Sequence, residues 1–358
     1  MSWPRAVDYP CERKAGRIIP MLQKKAPRTV SLLVSVFSLS IVFLVSSKLY
    51  GAEQTGNSKL ITISTDRSAL NLFVGADGRL YELGYGKPNS PFTLPGRTPA
   101  RETEFYPASG DGFILEPALQ ATHSDGNTST DLVWKKHSSN VLNTNVSLTR
   151  IELKDRFYPF FVVLNFKTYR AEDVIEQWVE IRHEEAGPVT LYRFASSGIV
   201  LPKADSYWLT HFHGDWADEA QWVEERLTSG MKLLDSKIGV RAHQYRTPSF
   251  MLALNQSADE EAGEVFGGSL GWSGSFQLAF EIDMHNRLRA LSGINPFGSQ
   301  YRLVSGQTFQ TPIMLWTWSD QGKGQVSRNF HRWALRYGIR DGDKPRPVLL
   351  NKLGSHRI

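Results

Sequence analysis

The sequence predicts an all-β protein, a sandwich or barrel of antiparallel strands with one helix near its carboxyl end. Three observations carry that prediction. Short stretches from about Lys59 to Ser319 alternate apolar and polar residues with period two. They are rich in β-branched and aromatic side chains, and Gly, Asn, Asp or Pro separates them. No segment in that span sustains a helical period, and closely spaced strands without intervening helices argue against βαβ units.

The strands begin with LITIST (60–65) and LNLFV (70–74), and Asp77-Gly78 between apolar runs marks a hairpin turn. VSLTRIEL (146–153), FFVVLNF (160–166), VTLYRF (189–194), FQLAFEI (276–282) and MLWTWS (314–319) continue the pattern. A helix is predicted over 325–338, QVSRNFHRWALRYG. Val326, Phe330, Trp333, Ala334 and Tyr337 share one face of it, and Gly338 supplies a stop. Arg328, Arg332, Arg336 and Arg340 form a second stripe, which reads as a solvated face. The linker DGDKPRP follows. Then comes Val348-Leu349-Leu350, an apolar run of the kind that starts a buried strand.

The chain has 358 residues and a net charge of +5, but the charge is unevenly spread. Residues 1–52 alone carry a net +6, so the rest is close to neutral and offers no electrostatic case for nucleic acid. Arg28 and Lys48 bracket nineteen residues without a charge, 29–47. That length is short for a membrane span and long for a signal-peptide core, so a cleaved signal and an uncleaved anchor both stand. Either one exports the body, to the outside or the periplasm, and the membrane is met only through the leader. Cys11 is the sole cysteine and precedes the apolar run, so the body has no disulfide. A body this large buries enough surface to need none.

The densest constellation of chemistry-bearing residues is YWLTHFHGDWADEAQW, 207–222, with His211, His213, Asp215, Asp218 and Glu219 among three tryptophans. His-x-His on a regular strand places both imidazoles on one side, a spacing that metal sites use. No third ligand stands at a characteristic spacing, so no metal is expected, nor any cofactor. Asp215 and Glu219 are a conceivable acid/base pair, although glycosidases need two carboxylates about 5–9.5 Å apart and proximity in sequence does not show that. Trp208, Trp216, Trp222, Trp272, Trp316 and Trp318 would suit sugar stacking, but in an all-β body most such residues are core. Neither a G-x-S-x-G elbow nor a phosphate-loop glycine pattern occurs.

GDWADEA, DSKIGVRAHQYRTPSF (235–250), GEVFGGSLGWSGSF (263–276), SGINPFG, SGQTFQTP (305–312) and KPRPVLLN occur in that order. Together they resemble the amino-terminal domain of glycoside hydrolase family 36, the α-galactosidases, over roughly residues 60–351. LNLFVGADGRLYELGYG and DVIEQWVEI resemble it more loosely. The resemblance implies a large twisted antiparallel β-sandwich (a supersandwich), then a linking helix, then a (β/α)8 barrel with two catalytic aspartates. It implies retaining hydrolysis of α-galactosides such as melibiose and raffinose. No catalytic residue carries over, because the barrel would begin near Val348. Glu219, Asp235, Gly239 and Trp272 match positions expected to be structural.

The resulting partition is a leader at 1–52, a sandwich at 58–322, a linking helix and Pro-rich linker at 323–347, and the start of a barrel at 348–358. After Asn351 the family continues Asn-Trp-Glu-Ala-Thr, where this chain has KLGSHRI. Removing one base from a back-translation of 351–358 restores the family sequence, so a frameshift after Asn351 is expected, and with it a chain that is catalytically inert. Resequencing codons 345–365 tests it. Trp216, Trp272 and Trp333 are the candidates for a sugar-facing or barrel-facing surface, and association into a homo-oligomer through the sandwich is a further expectation. The competing class is a carbohydrate-binding or assembly module that acts as it stands.

Overall fold

The computed structural model describes residues 59–88, 95–241, 244–342 and 344–345. The leader with its apolar run 29–47, and the run from Val348, lie outside those residues. Among the described residues no helix is long and apolar enough to cross a membrane.

Strands β1 (Lys59–Ser64), β2 (Ala69–Val74) and β3 (Leu80–Gly86) form a three-stranded sheet. Next come β4 (Leu119–Thr122), β5 (Leu132–Val141), β6 (Val146–Asp155), β7 (Phe160–Tyr169), β8 (Val174–His183) and β9 (Val189–Val200). Then follow β10 (Tyr207–Asp215), β11 (Asp218–Arg226), β12 (Gly230–Asp235), β13 (Arg246–Leu254) and β14 (Val265–Gly271). The last are β15 (Phe276–Ile282), β16 (Leu288–Ile294), β17 (Tyr301–Leu303), β18 (Thr308–Gln310) and β19 (Ile313–Ser319). A ten-stranded sheet runs β11-β10-β13-β14-β19-β8-β7-β6-β5, with β18 joined to β8. A six-stranded sheet runs β12-β15-β16-β9-β17, with β4 joined to β9.

Period two explains the layering. On β6, β7 and β8 one set of alternate residues, including Ile151, Leu153, Val162, Leu164, Phe166, Val179 and Ile181, enters the core. Residues of the smaller sheet, including Leu191, Leu278, Phe280 and Leu291, meet them there. Each such side chain contributes about 1.5–3 kcal/mol on burial. The predicted turn at Asp77-Gly78 joins β2 to β3. Gly75 N–H donates to the Arg79 carbonyl at 2.9 Å, and Gly78 sits at φ 82°.

Two neighbouring glycines set how closely the layers approach. A Cβ on Gly267 would lie 2.4 Å from Val326 of the helix, and one on Gly268 would lie 2.3 Å from the Phe250 ring on the opposite face. The GG of GEVFGGSLG is therefore a two-sided close contact. The helix α1 (Gly322–Trp333) packs Val326 and Phe330 against Ala253, Val265, Met251 and Trp208. One wider turn, Ala334–Gly338, completes it.

The helix thus starts three residues before its predicted beginning and stops at the predicted glycine. Its arginine stripe is not merely solvated: Arg336 pairs with the fully buried Glu172, and Arg332 donates to Asn329 at 2.6 Å. Both acceptors belong to packed parts of the domain, so a face that stays largely exposed also holds the helix end in place.

Candidate functional site

The β10–β11 hairpin carries the densest cluster of polar and aromatic residues, and its two ends differ. At its base Glu224 accepts Thr210 Oγ1 at 3.0 Å, Ser257 Oγ at 2.7 Å and Lys323 Nζ at 2.5 Å. Glu225 accepts from Lys232 at 2.7 Å and meets His211 Nε2 at 3.1 Å. Burial alone would raise both carboxylates, yet these hydrogen bonds and charges hold them below the ordinary range. His211 goes the other way: its burial outweighs Glu225 and lowers it.

The tip is open to solvent. Asp215 pairs with Asp218 across a two-residue turn, with Ala217 at φ 60°. The Asp215 carboxylate accepts the Trp216 N–H at 2.7 Å and that of Asp218 accepts Gln221 Nε2 at 2.6 Å. Both are thus occupied with the turn, and Glu219 is exposed beside them. His211 is buried and His213, nearer the open tip, is exposed, although the strand keeps its register with β11 across both. Among the described residues no group of three His, Cys, Asp or Glu side chains could hold a metal.

The three candidate tryptophans do not form one surface. Strand registers run His213↔Arg246, Ser249↔Ser269 and Gly271↔Ile313, so the hairpin tip and Trp272 lie toward the same end of the large sheet. Trp216 is 82% exposed there, with Val240 at 95% and Phe297 at 68% on neighbouring loops. Trp272 is held more firmly, its Nε1 donating to the Ser275 carbonyl at 3.2 Å. Trp333 lies at the other end, half-buried and edge-on to Tyr169 at 5.9 Å between centroids. There it helps seat the helix on the sandwich.

Sequence reasoning missed a groove of about 430 Å³ on the outer face of the large sheet. Lys136, Arg150, Glu152, Val163, Glu180, Arg182 and Thr308 line it, drawn from five strands. Nothing in the one-dimensional pattern joins those positions. Only the registers Lys136↔Glu152, Glu152↔Val163 and Val163↔Glu180 bring them into a row.

A third arrangement has the order of a nucleophile–base–acid relay. Thr130 Oγ1 lies 3.0 Å from His123 Nε2, and His123 Nδ1 lies 2.8 Å from Glu185. All three are buried, and Tyr158 stacks on the imidazole at 3.8 Å. No substrate reaches it. It ties β8 and its following turn to the loop before β5.

A family model described as the glycosyl hydrolase family 36 N-terminal domain matches residues 77–304. Alpha-galactosidase AgaA of Geobacillus stearothermophilus is 31% identical over 264 residues, which cover 69% of this chain and 36% of that enzyme. Alpha-galactosidase Mel36A of Lactobacillus acidophilus is 25% identical over 336 residues, covering 87% and 46%. A crystal structure of AgaA matches with a TM-score of 0.73 at 26% identity, over 81% of this chain and 45% of that one. Variants of AgaA were solved in complex with raffinose and with stachyose. The chain spans between about a third and just under half of the length of these relatives.

Proposed function

The chain belongs to glycoside hydrolase family 36, whose N-terminal domain it carries, and from that premise we propose that it serves as the β-sandwich of an exported α-galactosidase. The activity is hydrolysis of terminal α-galactosides such as melibiose, raffinose and stachyose. The observation that carries this reading is the family match over most of the sandwich, supported by the fold shared with solved α-galactosidases.

The sandwich itself supplies no carboxylate pair for the reaction. Asp215 and Glu219 stand at an exposed turn, and the groove carboxylates are ion-paired. Retaining hydrolysis needs two carboxyl groups about 5–5.5 Å apart across a bound sugar. We therefore place the chemistry in the part of the relatives this chain does not cover. The test is turnover of p-nitrophenyl α-galactoside by the purified chain and by Glu219→Gln. No turnover by either is expected, and hydrolysis abolished by Glu219→Gln would assign the reaction to the hairpin instead.

The exposed Trp216 end and the neighbouring edge strands β11 and β12 support a second role, contact with another copy of the chain or another domain. Sedimentation should show concentration-dependent association that Trp216→Ser weakens. Export rests on the leader and on a body without cysteine. Fractionation of cells producing the chain tests it, with the protein expected outside the cytoplasm.

A further inference from the structure

Residues on the outer face of β5–β8 are held as if for a ligand. Glu152 takes Lys135 at 3.0 Å and Arg182 at 3.3 Å on one oxygen, and Lys136 at 3.4 Å on the other. Glu180 takes Arg150 at 2.9 Å on one oxygen, and Asn165 at 3.3 Å and the Trp178 indole N–H at 3.4 Å on the other. A carboxylate offers about four acceptor sites, so each keeps one free, while the arginines and Lys136 keep several donors. The groove thus presents fixed donors and acceptors mixed within one row, and its lining is close to neutral, three cations against two carboxylates.

An apolar strip accompanies the polar row. Val163 floors the groove, and the half-buried Trp178, two residues before Glu180 and tied to it by its indole N–H, stands just outside the lining. The helix α1 covers the outer face of β14 and β19, and its end reaches Tyr169 and Val146 at one end of β6 and β7, short of the groove's lining.

We propose that this groove binds a neutral oligosaccharide of at least two pyranose rings. Pyranose hydroxyls both donate and accept, which suits interleaved guanidinium and carboxylate groups. The C–H face of a ring suits an indole. A small anion fits less well, because the cations already face carboxylates. The volume lies in the range of ligand sites. The inference does not depend on whether the chain hydrolyses anything.

The test uses the full chain and three probes, stachyose, mannotetraose and cellotetraose, measured by titration calorimetry, with sulfate as a fourth. At least one saccharide should bind with a millimolar dissociation constant that 0.3 M NaCl does not change. Arg150→Ala and Glu180→Gln should each weaken it at least tenfold, with far-UV circular dichroism unchanged. Three outcomes overturn the proposal: no saccharide bound at 10 mM, saccharide binding indifferent to both variants, or sulfate bound in the groove while sugars are not. Because the readout is binding, failure here leaves the galactosidase reading intact, and failure of turnover leaves this one intact.

Discussion

Charged residues face each other in two regions of this domain, buried beneath the segment 102–105 and in the outer groove, and water makes them behave oppositely. Inside, Arg289 is 2% exposed and donates to the carbonyls of Glu102 at 2.8 Å and Glu104 at 2.7 Å. Glu82 accepts the Val200 N–H at 2.8 Å, beside the strand position that pairs with Arg289. Burial pushes Glu82 up to about 8 and Glu104 up to about 7, and pulls Arg289 down to about 10. In the groove, burial would likewise raise Glu152, but Lys135 and Lys136 hold it below its ordinary range. Desolvation wins where no solvent enters, and pairing wins where the cations stay wet.

The largest expected effect breaks the interior side of that contrast. Arg289→Met would leave the buried carbonyls of Glu102 and Glu104 without their donor, costing about 1–3 kcal/mol in urea unfolding at pH 7. A loss below about 1 kcal/mol would mean the guanidinium is not what satisfies those groups.

Glu82→Gln alone sharpens the contrast through pH. A carboxylate with a folded value near 8 and an unfolded one near 4.5 binds more protons when folded throughout that interval. Stability should therefore fall as pH rises from about 4.5 to 8, by at most about 1.4 kcal/mol per pH unit for this group. Glu82→Gln should flatten that slope, and an unchanged slope would show that Glu82 does not titrate there. Glu152 has the opposite sign. Its folded value is lowered, so its contribution is present above about 4.5 and lost as pH falls through the folded value. With Lys135 and Lys136 43% and 70% exposed, Glu152→Gln should cost no more than about 1 kcal/mol at pH 7.

What could be read beforehand follows the same division between local and long-range. Period two reports which face of a strand is buried, so the strands of 146–166 and 276–282 were readable from residue order. Gly338 ends the helix as predicted, since a stop is a local event. Register is not local. Glu152 and Glu180 lie 28 positions apart and meet only because β6, β7 and β8 pair as they do. The burial of His211 beside an exposed His213 likewise depends on how far each stands from the hairpin tip, which spacing does not report. Gly267 and Gly268 were visible as a motif, but their purpose needed the helix on one side and Phe250 on the other.

The smallest expected effect separates the two regions by salt. Lys136 stands 3.4 Å from Glu152 with its side chain 70% exposed, so its attraction is weakened by water and by counterions. The screening length is about 10 Å at 0.1 M and about 3 Å at 1 M salt. Lys136→Ala should therefore cost under about 0.5 kcal/mol at low salt and nothing measurable at 1 M. The cost of Arg289→Met should be the same at both, because no counterion reaches a buried guanidinium. Paired urea titrations at the two salt concentrations read both differences. If Lys136→Ala stayed costly at 1 M, the outer groove would be drier than its exposure suggests, and its charges would belong with the buried ones around Arg289.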